Sequence, residues 1–304
     1  MIVNQNHYQM LQNDRSTFQK ITRQYEDHML LKNFSKHTIS AYLSNFNKYY
    51  EWCVHTDQTQ IYDQYTVRDY LIKLTRAGKK WQTINNHYSA MRKLFREVLE
   101  LEWNVKKLPR PRKERHLPEM ISKQEILRII KSCQHLKHKA LLAVLYGTGM
   151  RAGELSRLQL ADIDSDRLQI RIRRGKGAKD RYIQVPAELV AYMRDYYRAY
   201  RPEKYLFNGR VKGSPLQVGS MRWPIREARR KLNITKKISP HTLRHCYATH
   251  HLEVGTDLVF IQQNMGHKHL KTTARYIHLC KDRYQHIHHP IVDILPSMKD
   301  KTMD

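Results

Sequence analysis

The sequence lacks long hydrophobic runs. Its longest clear apolar stretch, from Ala140 to Tyr146, is far shorter than the roughly 20 residues that a membrane-spanning helix needs. The first residues, MIVNQNHYQM, show no basic start followed by an apolar run, so we find no secretory signal. We therefore expect no membrane partner and a cytoplasmic location.

Cysteine is also scarce. The four cysteines, Cys53, Cys133, Cys246 and Cys280, lie far apart and form no CxxC pair. This spacing argues against a disulfide framework and is typical of reduced thiols in a cytosol. The sequence also offers no plausible metal site built from two carboxylates, so we expect neither a metal nor another cofactor.

Acidic residues are few relative to basic ones. Lys and Arg number 55 and Asp and Glu number 28, which gives a formal net charge of +27 over 304 residues. Such an excess indicates a polyanionic partner, with nucleic acid as the first candidate. A ribosomal-type or merely solubilising surface is the alternative. The length allows one large domain or two ordinary ones, each with its own core.

The first third of the chain has a helical pattern. Ser35 can cap a helix over Thr38–Cys53, in which apolar residues recur every three or four positions. Similar periodicity predicts helices over 67–74 and 83–99, and no segment has a convincing strand pattern. We therefore predict that residues 1–105 form a compact all-α domain of about four helices.

A basic, proline-rich segment, KKLPRPRKERHLP, follows at 106–118. Its prolines resist helix formation and its cations resist burial, which favours an extended interdomain linker. Such a linker can lie along a phosphate backbone, although a merely solvated spacer would have the same composition. The residues that we expect to contact DNA here are Lys106, Lys107, Arg110, Arg112 and Lys113.

The remaining residues, 119–304, combine helical patterns with one hairpin pattern. Strands are predicted at 168–173 and 180–185, joined by a turn that contains Gly175 and Gly177. Helices are predicted over 123–133, 136–146, 187–200, 220–232, 242–254, 258–265 and 272–279. The predicted fold class is mainly α with a small β-sheet, in which a helical domain precedes a mixed α/β domain.

Residues that can hold a phosphate are concentrated in this second domain. Arg151 follows a glycine-rich turn, and its guanidinium can bond two phosphate oxygens at once. Glu154, three residues further on, can orient that guanidinium. In the string PHTLRH, His241, Arg244 and His245 share one face if the helix includes His241. Each motif is weak alone, because an ordinary basic helix end looks the same.

The spacing of His241 and His245 is also that of a zinc-binding HxxxH pair. However, the zinc-protease pattern has Glu after the first His, where this chain has Thr242. Arg244 would in addition place a cation beside the two ligands. Metal binding is therefore the weaker interpretation of this motif.

Cleavage of a phosphodiester needs cations on the non-bridging oxygens, a nucleophile in line, and an acid for the leaving oxygen. Lys176, between two glycines at the tip of the predicted hairpin, can protonate a leaving oxygen. His267 follows a glycine that can end a helix. Tyr276 lies nine residues later, and its phenol can attack a phosphate that the cations hold.

In combination and order, these motifs resemble the tyrosine recombinase (phage integrase) family and its Xer-like members. The resemblance covers nearly the whole chain and lies in SKHTISAY, TINNHYSAMRKLF, GTGMRAGEL, GKGAKDRYIQVP, HTLRHCYATHHLEVG and NMGHKHLKTTARYIH. It implies a SAM-like helical core-binding domain that binds DNA, followed by a mixed α/β catalytic domain. It also implies a bacterial, phage or mobile-element origin.

The resemblance implies a role for each matching residue. Arg151 and Arg244 would clamp the scissile phosphate, and His241 and His267 would assist phosphate binding and proton transfer. Tyr276 would be the nucleophile and form a 3′-phosphotyrosyl bond.

Further positions match less central parts of the family pattern. Lys176 would be the general acid for the 5′-oxygen, and Glu154 occupies the family's acidic position. His245 matches a frequent family residue and would support the site. Lys179 and Arg181, beside the hairpin turn, join the residues expected to contact DNA.

The resemblance also implies partners. They are double-stranded DNA with specific recombination sites and further copies of the chain, as a DNA-bound dimer or tetramer. Strand exchange would pass through a Holliday junction. It would need no metal, because arginine and lysine supply the positive charge, and no ATP, because the ester conserves the energy of the phosphodiester. The tail residues that would dock on a neighbouring copy, or pack back on their own domain, are Ile291, Val292, Ile294 and Leu295.

Two other functions remain open at this point. A type IB topoisomerase would use the same chemistry to relax supercoils as a monomer, and a DNA-binding protein with a dead site would keep the same fold. The helical first domain and the hairpin lysine favour recombination. No expected catalytic position is substituted, which argues against a dead site. The pattern specifies neither the target DNA nor the choice among integration, excision, resolution, inversion and transposition.

Overall fold

The computed structural model describes residues 15–112, 119–173, 180–211 and 213–280. The chain divides into two compact units, residues 1–116 and 117–304. Each unit has its own hydrophobic core.

Four helices make up the described part of the first unit. They are α1 (Arg15–Leu31), α2 (Lys36–His55), α3 (Gln64–Arg76) and α4 (Trp81–Glu97). Two of them begin at side-chain caps: the Ser35 hydroxyl accepts the Thr38 N–H at 3.2 Å, and the Asp63 carboxylate accepts the Tyr65 N–H at 3.0 Å. The prediction of a helical first domain is confirmed, with slightly different helix ends.

Tyrosines contribute several of the largest buried side chains in the core of the first unit. The rings of Tyr25 and Tyr49 are fully buried, with 0% of each residue exposed. Their hydroxyl groups donate to backbone carbonyls, Tyr25 to Ala90 O at 2.8 Å and Tyr49 to Ile61 O at 2.6 Å. A buried phenol that finds an acceptor keeps the benefit of its large apolar ring without an unpaired donor.

The segment predicted as an extended linker is packed against the first unit as far as residue 112. Leu108 is buried in the core of that unit. The Trp81 indole donates to Pro111 O at 2.9 Å, and Arg110 Nε donates to Asn85 Oδ1 at 2.8 Å. Residues 106–112 are therefore more closely packed than an extended linker, because one leucine among the cations supplies an apolar anchor and the Pro111 carbonyl accepts a hydrogen bond. Residues 113–118 lie outside the described residues.

The second unit is mixed, and its core surrounds α6. Its helices are α5 (Lys123–Ser132), α6 (Leu136–Thr148), α7 (Ala152–Ser156), α8 (Ala187–Tyr200), α9 (Arg222–Lys231), α10 (Pro240–Glu253), α11 (Leu258–Met265) and α12 (Leu270–Ala274). Three strands, β1 (Ile163–Asp164), β2 (Gln169–Ile172) and β3 (Arg181–Gln184), form an antiparallel sheet in the order β1-β2-β3. The predicted fold class is confirmed.

Helix α6 explains the longest apolar run of the sequence. Ala140, Leu142 and Leu145 are each 0% exposed, and the helix packs against α8 and α10. A helix that is apolar all round is typical of the centre of a core. Among the described residues, no helix is both long and apolar enough to cross a bilayer.

Two parts of the second unit differ from the prediction. Strand β1 was not predicted, because two residues are too few to produce a visible alternation. The helix expected over 272–279 is divided into α12 and a 3₁₀ turn at Ile277–Leu279. Tyr276 lies in the break between them.

Candidate active site

Arg244 projects from α10 and is almost fully buried. Only 4% of the residue is exposed. Its guanidinium donates to Gly149 O and, at 2.7 Å, to Met265 O, which lie at the C-terminal ends of α6 and α11. Burial and the neighbouring Arg151 lower the pKa of Arg244 to about 10. The side chain therefore remains a cation at neutral pH, stabilised by the negative ends of two helices.

A glycine is required where α6 turns into the site. Gly149 has a φ of +59°, and a Cβ at this position would lie 2.3 Å from the ring of Tyr247. Only glycine combines a left-handed backbone with such a close approach. The turn directs the chain toward Arg151, at the start of α7.

Arg151 is paired with a carboxylate and remains partly exposed. Its Nη1 donates to Glu154 Oε1 at 3.0 Å, and its Nη2 donates to Gly266 O at 3.2 Å. The Arg151 backbone N–H also donates to Glu154 Oε2, at 2.8 Å. With 27% of its side chain exposed, Arg151 is open to a ligand in a way that Arg244 is not.

Glu154 holds a second arginine, Arg181, through two parallel hydrogen bonds of 2.9 and 2.8 Å. Although burial opposes ionisation, hydrogen bonds from Arg181 and the charge of Arg151 lower the pKa of Glu154 to about 2. Arg181 Nε donates to Asn264 O at 3.1 Å, and its side chain is 14% exposed. Arg181 was predicted to contact DNA. In the structure its guanidinium bonds Glu154 and Asn264 O, and a contact with DNA stays a prediction.

Gly266 ends α11 and presents its carbonyl to Arg151. Its φ is +63°, and an added Cβ would lie 2.7 Å from Arg181 Cζ. The glycine of the GH motif is thus required both by its backbone conformation and by the arginine packed against it. It places His267 at the edge of the cationic cluster.

The hydrogen bonds of His267 define its tautomer. Arg244 Nη2 lies 3.0 Å from His267 Nε2, and His267 Nδ1 lies 2.8 Å from Thr273 Oγ1. A guanidinium can only donate, so Nε2 accepts, and Nδ1 carries the proton and donates to Thr273. Burial, Arg244 and Arg151 lower the pKa of His267 to about 4, and the ring is neutral at pH 7.

The phenol of Tyr276 lies inside the site and is hydrogen-bonded to His245. Its oxygen is 2.9 Å from His245 Nδ1, and only 3% of the residue is exposed. Burial, His241 and Arg244 lower the pKa of His245 to about 4, so this imidazole is neutral at pH 7. In the tautomer with its proton on Nε2, the Nδ1 atom accepts a hydrogen bond from the phenol. Burial raises the pKa of Tyr276, and the positive charge of Arg244 opposes that rise.

His241 occupies the first turn of α10 at the surface of the site. The helix begins at Pro240, so His241, Arg244 and His245 do belong to one helix. The ring of His241 stacks on that of His245, with centroids 6.4 Å apart. Partial burial, Arg244 and Arg151 lower its pKa.

Three of the predicted residues, Lys113, Lys176 and Lys179, lie outside the described residues. The structure describes the strands on either side of the hairpin turn. There Arg171 pairs with Asp180 at 2.7 Å, and Arg173 pairs with the buried Asp162.

Sequence patterns did not reveal two features of this site. Thr273, which is fully buried, accepts a hydrogen bond from Nδ1 of His267, and its only signal was a hydroxyl three residues before the tyrosine. Arg275, beside the phenol, lowers the pKa of both His245 and His267. Within the described residues, no group of three or more His, Cys, Asp or Glu side chains could hold a metal ion.

The fold and the site together define a two-unit, mainly α protein of the integrase type. A profile of the phage integrase family matches residues 119–283, and that of the phage integrase N-terminal SAM-like domain matches residues 22–100. The chain belongs to the phage integrase family.

Individual relatives agree with this assignment. The chain is 30% identical over 266 residues to the tyrosine recombinase XerA of Pyrococcus horikoshii, with 84% of this chain and 88% of that relative covered. A crystal structure of XerA recombinase is 26% identical and superposes with a TM-score of 0.51 over 91% of this chain and 99% of that one. A lambda integrase dimer bound to a COC′ core site, 16% identical, shares the fold with a TM-score of 0.70 over 89% and 97% of the two chains.

Proposed function

We propose that this protein is a site-specific DNA recombinase in which Tyr276 attacks the scissile phosphodiester and forms a 3′-phosphotyrosyl intermediate. One observation carries the proposal: a series of contacts joins the buried cation of Arg244 to the buried phenol of Tyr276. Arg244 bonds His267, whose ring stacks on that of Tyr276 with centroids 6.2 Å apart, and the phenol bonds His245. This is the combination of cations and nucleophile that phosphoryl transfer needs.

The phosphate would bind over Arg151 and Arg244. Arg151 uses two of its five N–H groups in hydrogen bonds to described residues, and it is partly exposed. Its remaining donors can bond phosphate oxygens, and the buried charge of Arg244 stabilises the negative charge that develops in the transition state. His241, which is exposed on the same helix, can add a further donor.

The nucleophile and the acid would act on opposite sides of the phosphorus. Oη of Tyr276 forms a bond to phosphorus as the bond to the 5′-oxygen breaks, and Lys176 supplies the proton to that oxygen. The 5′-hydroxyl of a second DNA then attacks the phosphotyrosine and rejoins the strands through a Holliday junction. The ester conserves the energy of the phosphodiester, and arginines supply the positive charge, so neither ATP nor a metal is needed.

Cationic surfaces on both units would hold double-stranded DNA. In the first unit, Lys106, Lys107 and Arg112 are exposed. In the second unit, helix α9 buries one face and presents a cationic face that sequence patterns had not singled out. Its exposed cations are Arg222, Arg226, Arg230 and Lys231. Contacts of this kind bind phosphate irrespective of base sequence.

We further propose that the protein acts as a DNA-bound dimer or tetramer, with residues 1–105 serving as a core-binding domain and residues 119–304 as the catalytic domain. A shared DNA substrate would bring copies together at paired recombination sites. The apolar tail residues Ile291, Val292, Ile294 and Leu295, which lie outside the described residues, are the candidates for contacts between copies.

A nicked suicide substrate tests the proposed chemistry. The wild-type protein should form a covalent adduct with the 3′ side of the break, and Tyr276→Phe should form none while binding DNA equally well. Tyr247→Phe is a matched control that should still form the adduct, because Tyr247 is also a buried tyrosine of the second unit but lies on α10. An adduct that survives Tyr276→Phe would contradict the assignment of the nucleophile.

Two further measurements define the reaction class. Adduct formation should persist in EDTA; complete loss that a divalent ion restores would contradict a metal-free mechanism. Exchange of strands between two duplexes should occur at specific sites. Relaxation of supercoiled DNA by a monomer without exchange would indicate a topoisomerase instead.

A further inference from the structure

The hydroxyl of Tyr276 has one hydrogen-bond partner among the described residues. That partner is His245 Nδ1, at 2.9 Å. The phenol is otherwise enclosed, with 3% of the residue exposed. Water therefore has little access to the phenolic proton, which must leave when the oxygen becomes a nucleophile. A protein group in direct contact is the natural acceptor.

We propose that His245 is a catalytic base, whose Nδ1 takes the proton from Oη of Tyr276 as that oxygen attacks phosphorus. This inference rests on the proposed function. The Oη–H bond breaks and an Nδ1–H bond forms, while the Oη–P bond forms and the P–O5′ bond breaks. The leaving 5′-oxygen receives its proton from a separate acid, Lys176 in the proposed mechanism. On rejoining, His245 returns its proton to Oη.

The position of His245 on α10 supports this role. It follows Arg244 directly in the chain, so the base and the phosphate-binding cation are fixed on one helix. A base that acts in the transition state must keep its place relative to the reacting atoms, and a helix provides that rigidity. His241 is also on α10, but its ring stacks on His245 rather than bonding the phenol.

Electrostatics would couple the base to the substrate. The charged and titratable groups around His245 are His241 and Arg244 on α10, and Arg275 and Tyr276 after α12. The positive charges of Arg244 and Arg275 disfavour the imidazolium form and help to lower the pKa of His245 to about 4. A bound phosphodiester offsets the charge of Arg244, so the pKa of His245 should rise when DNA occupies the site. The phenol would then lose its proton mainly when a phosphate is present to be attacked.

Substitution by asparagine separates proton transfer from positioning. In His245→Asn the amide oxygen can occupy nearly the place of Nδ1 and accept the phenolic hydrogen bond, but an amide cannot take up the proton. Single-turnover cleavage should fall about 100-fold or more, the usual contribution of general base catalysis, with DNA affinity unchanged. His245→Gln, which is equally unable to titrate, replaces the Asn variant if that variant does not fold.

A 5′-bridging phosphorothiolate substrate isolates the base from the acid. Its sulfur leaves without a proton, so Lys176→Ala should cleave it at close to the wild-type rate. His245→Asn should remain slow, because the phenol must still be deprotonated. Cleavage of the sulfur substrate by His245→Asn within about threefold of the wild-type rate, a factor too small for general base catalysis, would overturn the proposal.

Two observations on active protein extend the test. A fluorinated tyrosine at position 276 is more acidic and needs less help from a base, so it should reduce the difference in cleavage rate between wild type and His245→Asn.

The wild-type cleavage rate on the sulfur substrate should rise with pH as a single group loses its proton. A rate that stays constant from about pH 4 to 8 would contradict a base of this kind. If adducts depend on Tyr276 but not on His245, only this inference fails. If they do not depend on Tyr276, the proposed function fails as well.

Discussion

Replacing Glu154 by Gln should destabilise the second unit by about 3 kcal/mol at neutral pH. The pKa of this carboxyl falls from an ordinary 4.5 to about 2, a difference of 4.5 − 2 = 2.5. A pKa difference of one corresponds to about 1.4 kcal/mol of folding free energy. With only 5% of its side chain exposed, Glu154 is little screened by solvent. The neutral amide would also leave Arg181 buried without a counter-charge, which makes the loss of one partner costly.

The effect should depend on pH in a defined direction. The folded protein has the lower pKa, so the stabilisation is complete above about 4.5 and is lost as the pH falls toward about 2. The difference in free energy of unfolding between wild type and Glu154→Gln should therefore be constant from about pH 8 to 5. It should shrink at lower pH, because wild-type Glu154 then becomes protonated.

Glu97 provides a matched control in the first unit. Although partial burial opposes ionisation, hydrogen bonds from Lys32, Lys93 and His28 lower its pKa to about 2 as well. Its side chain is 35% exposed, so solvent screening should hold the cost of Glu97→Gln below about 1 kcal/mol and make it sensitive to salt.

Urea unfolding, monitored by hydrogen exchange of peptides from α7 and α4, would measure the free energy of unfolding of the two units separately. A loss below about 1 kcal/mol for Glu154→Gln, or one that stays constant down to about pH 3, would refute the reasoning from the buried ion pair.

Three further outcomes are expected in the same protein. Gly266→Ala should lower the melting temperature and slow adduct formation, because its left-handed backbone and the arginine against it leave no room for Cβ; Gly78→Ala, with φ +65° but nothing within 4 Å, should show backbone strain alone. Thr273→Val should remove the acceptor of the His267 Nδ1–H group and move the Nδ1 signal in nitrogen NMR, whereas Thr273→Ser should preserve that signal; equal spectra for both variants would contradict the hydrogen bond to Thr273. Arg112→Ala should weaken binding to all DNA sequences alike and reduce the salt dependence by about one phosphate contact; an unchanged salt slope would exclude a contact there.

The fold was predictable wherever the hydrophobic period was long. The predicted bounds of α8 and of α11 match the structure, and a Ser at the start of α2 gave its N-terminus. The motif residues of the second unit were also identifiable, because guanidinium, imidazole and phenol groups are rarely grouped in this order by chance. Long periodic helices and rare functional groups are the signals that a single sequence carries best.

What the sequence could not reveal were pairings that depend on three-dimensional packing. Arg181 has the composition of a DNA contact, yet it lies against Glu154, 27 residues earlier in the chain. Leu108 anchors a segment whose prolines and cations suggest a free linker. The contact between His245 and Tyr276 depends on a break after α12 that no local pattern marks, since the segment contains neither Gly nor Pro.

The cluster around Glu154 has an unequal balance of charge. Three guanidinium groups, those of Arg151, Arg181 and Arg244, converge near Gly266, and among the described residues only one carboxylate bonds any of them. The unbalanced guanidinium groups repel one another, and a bound anion would reduce that repulsion. Bound DNA should therefore stabilise the folded second unit, and even inorganic phosphate should raise its melting temperature. The same repulsion should make the second unit least stable when no anion is bound, which is its state after it has released its product.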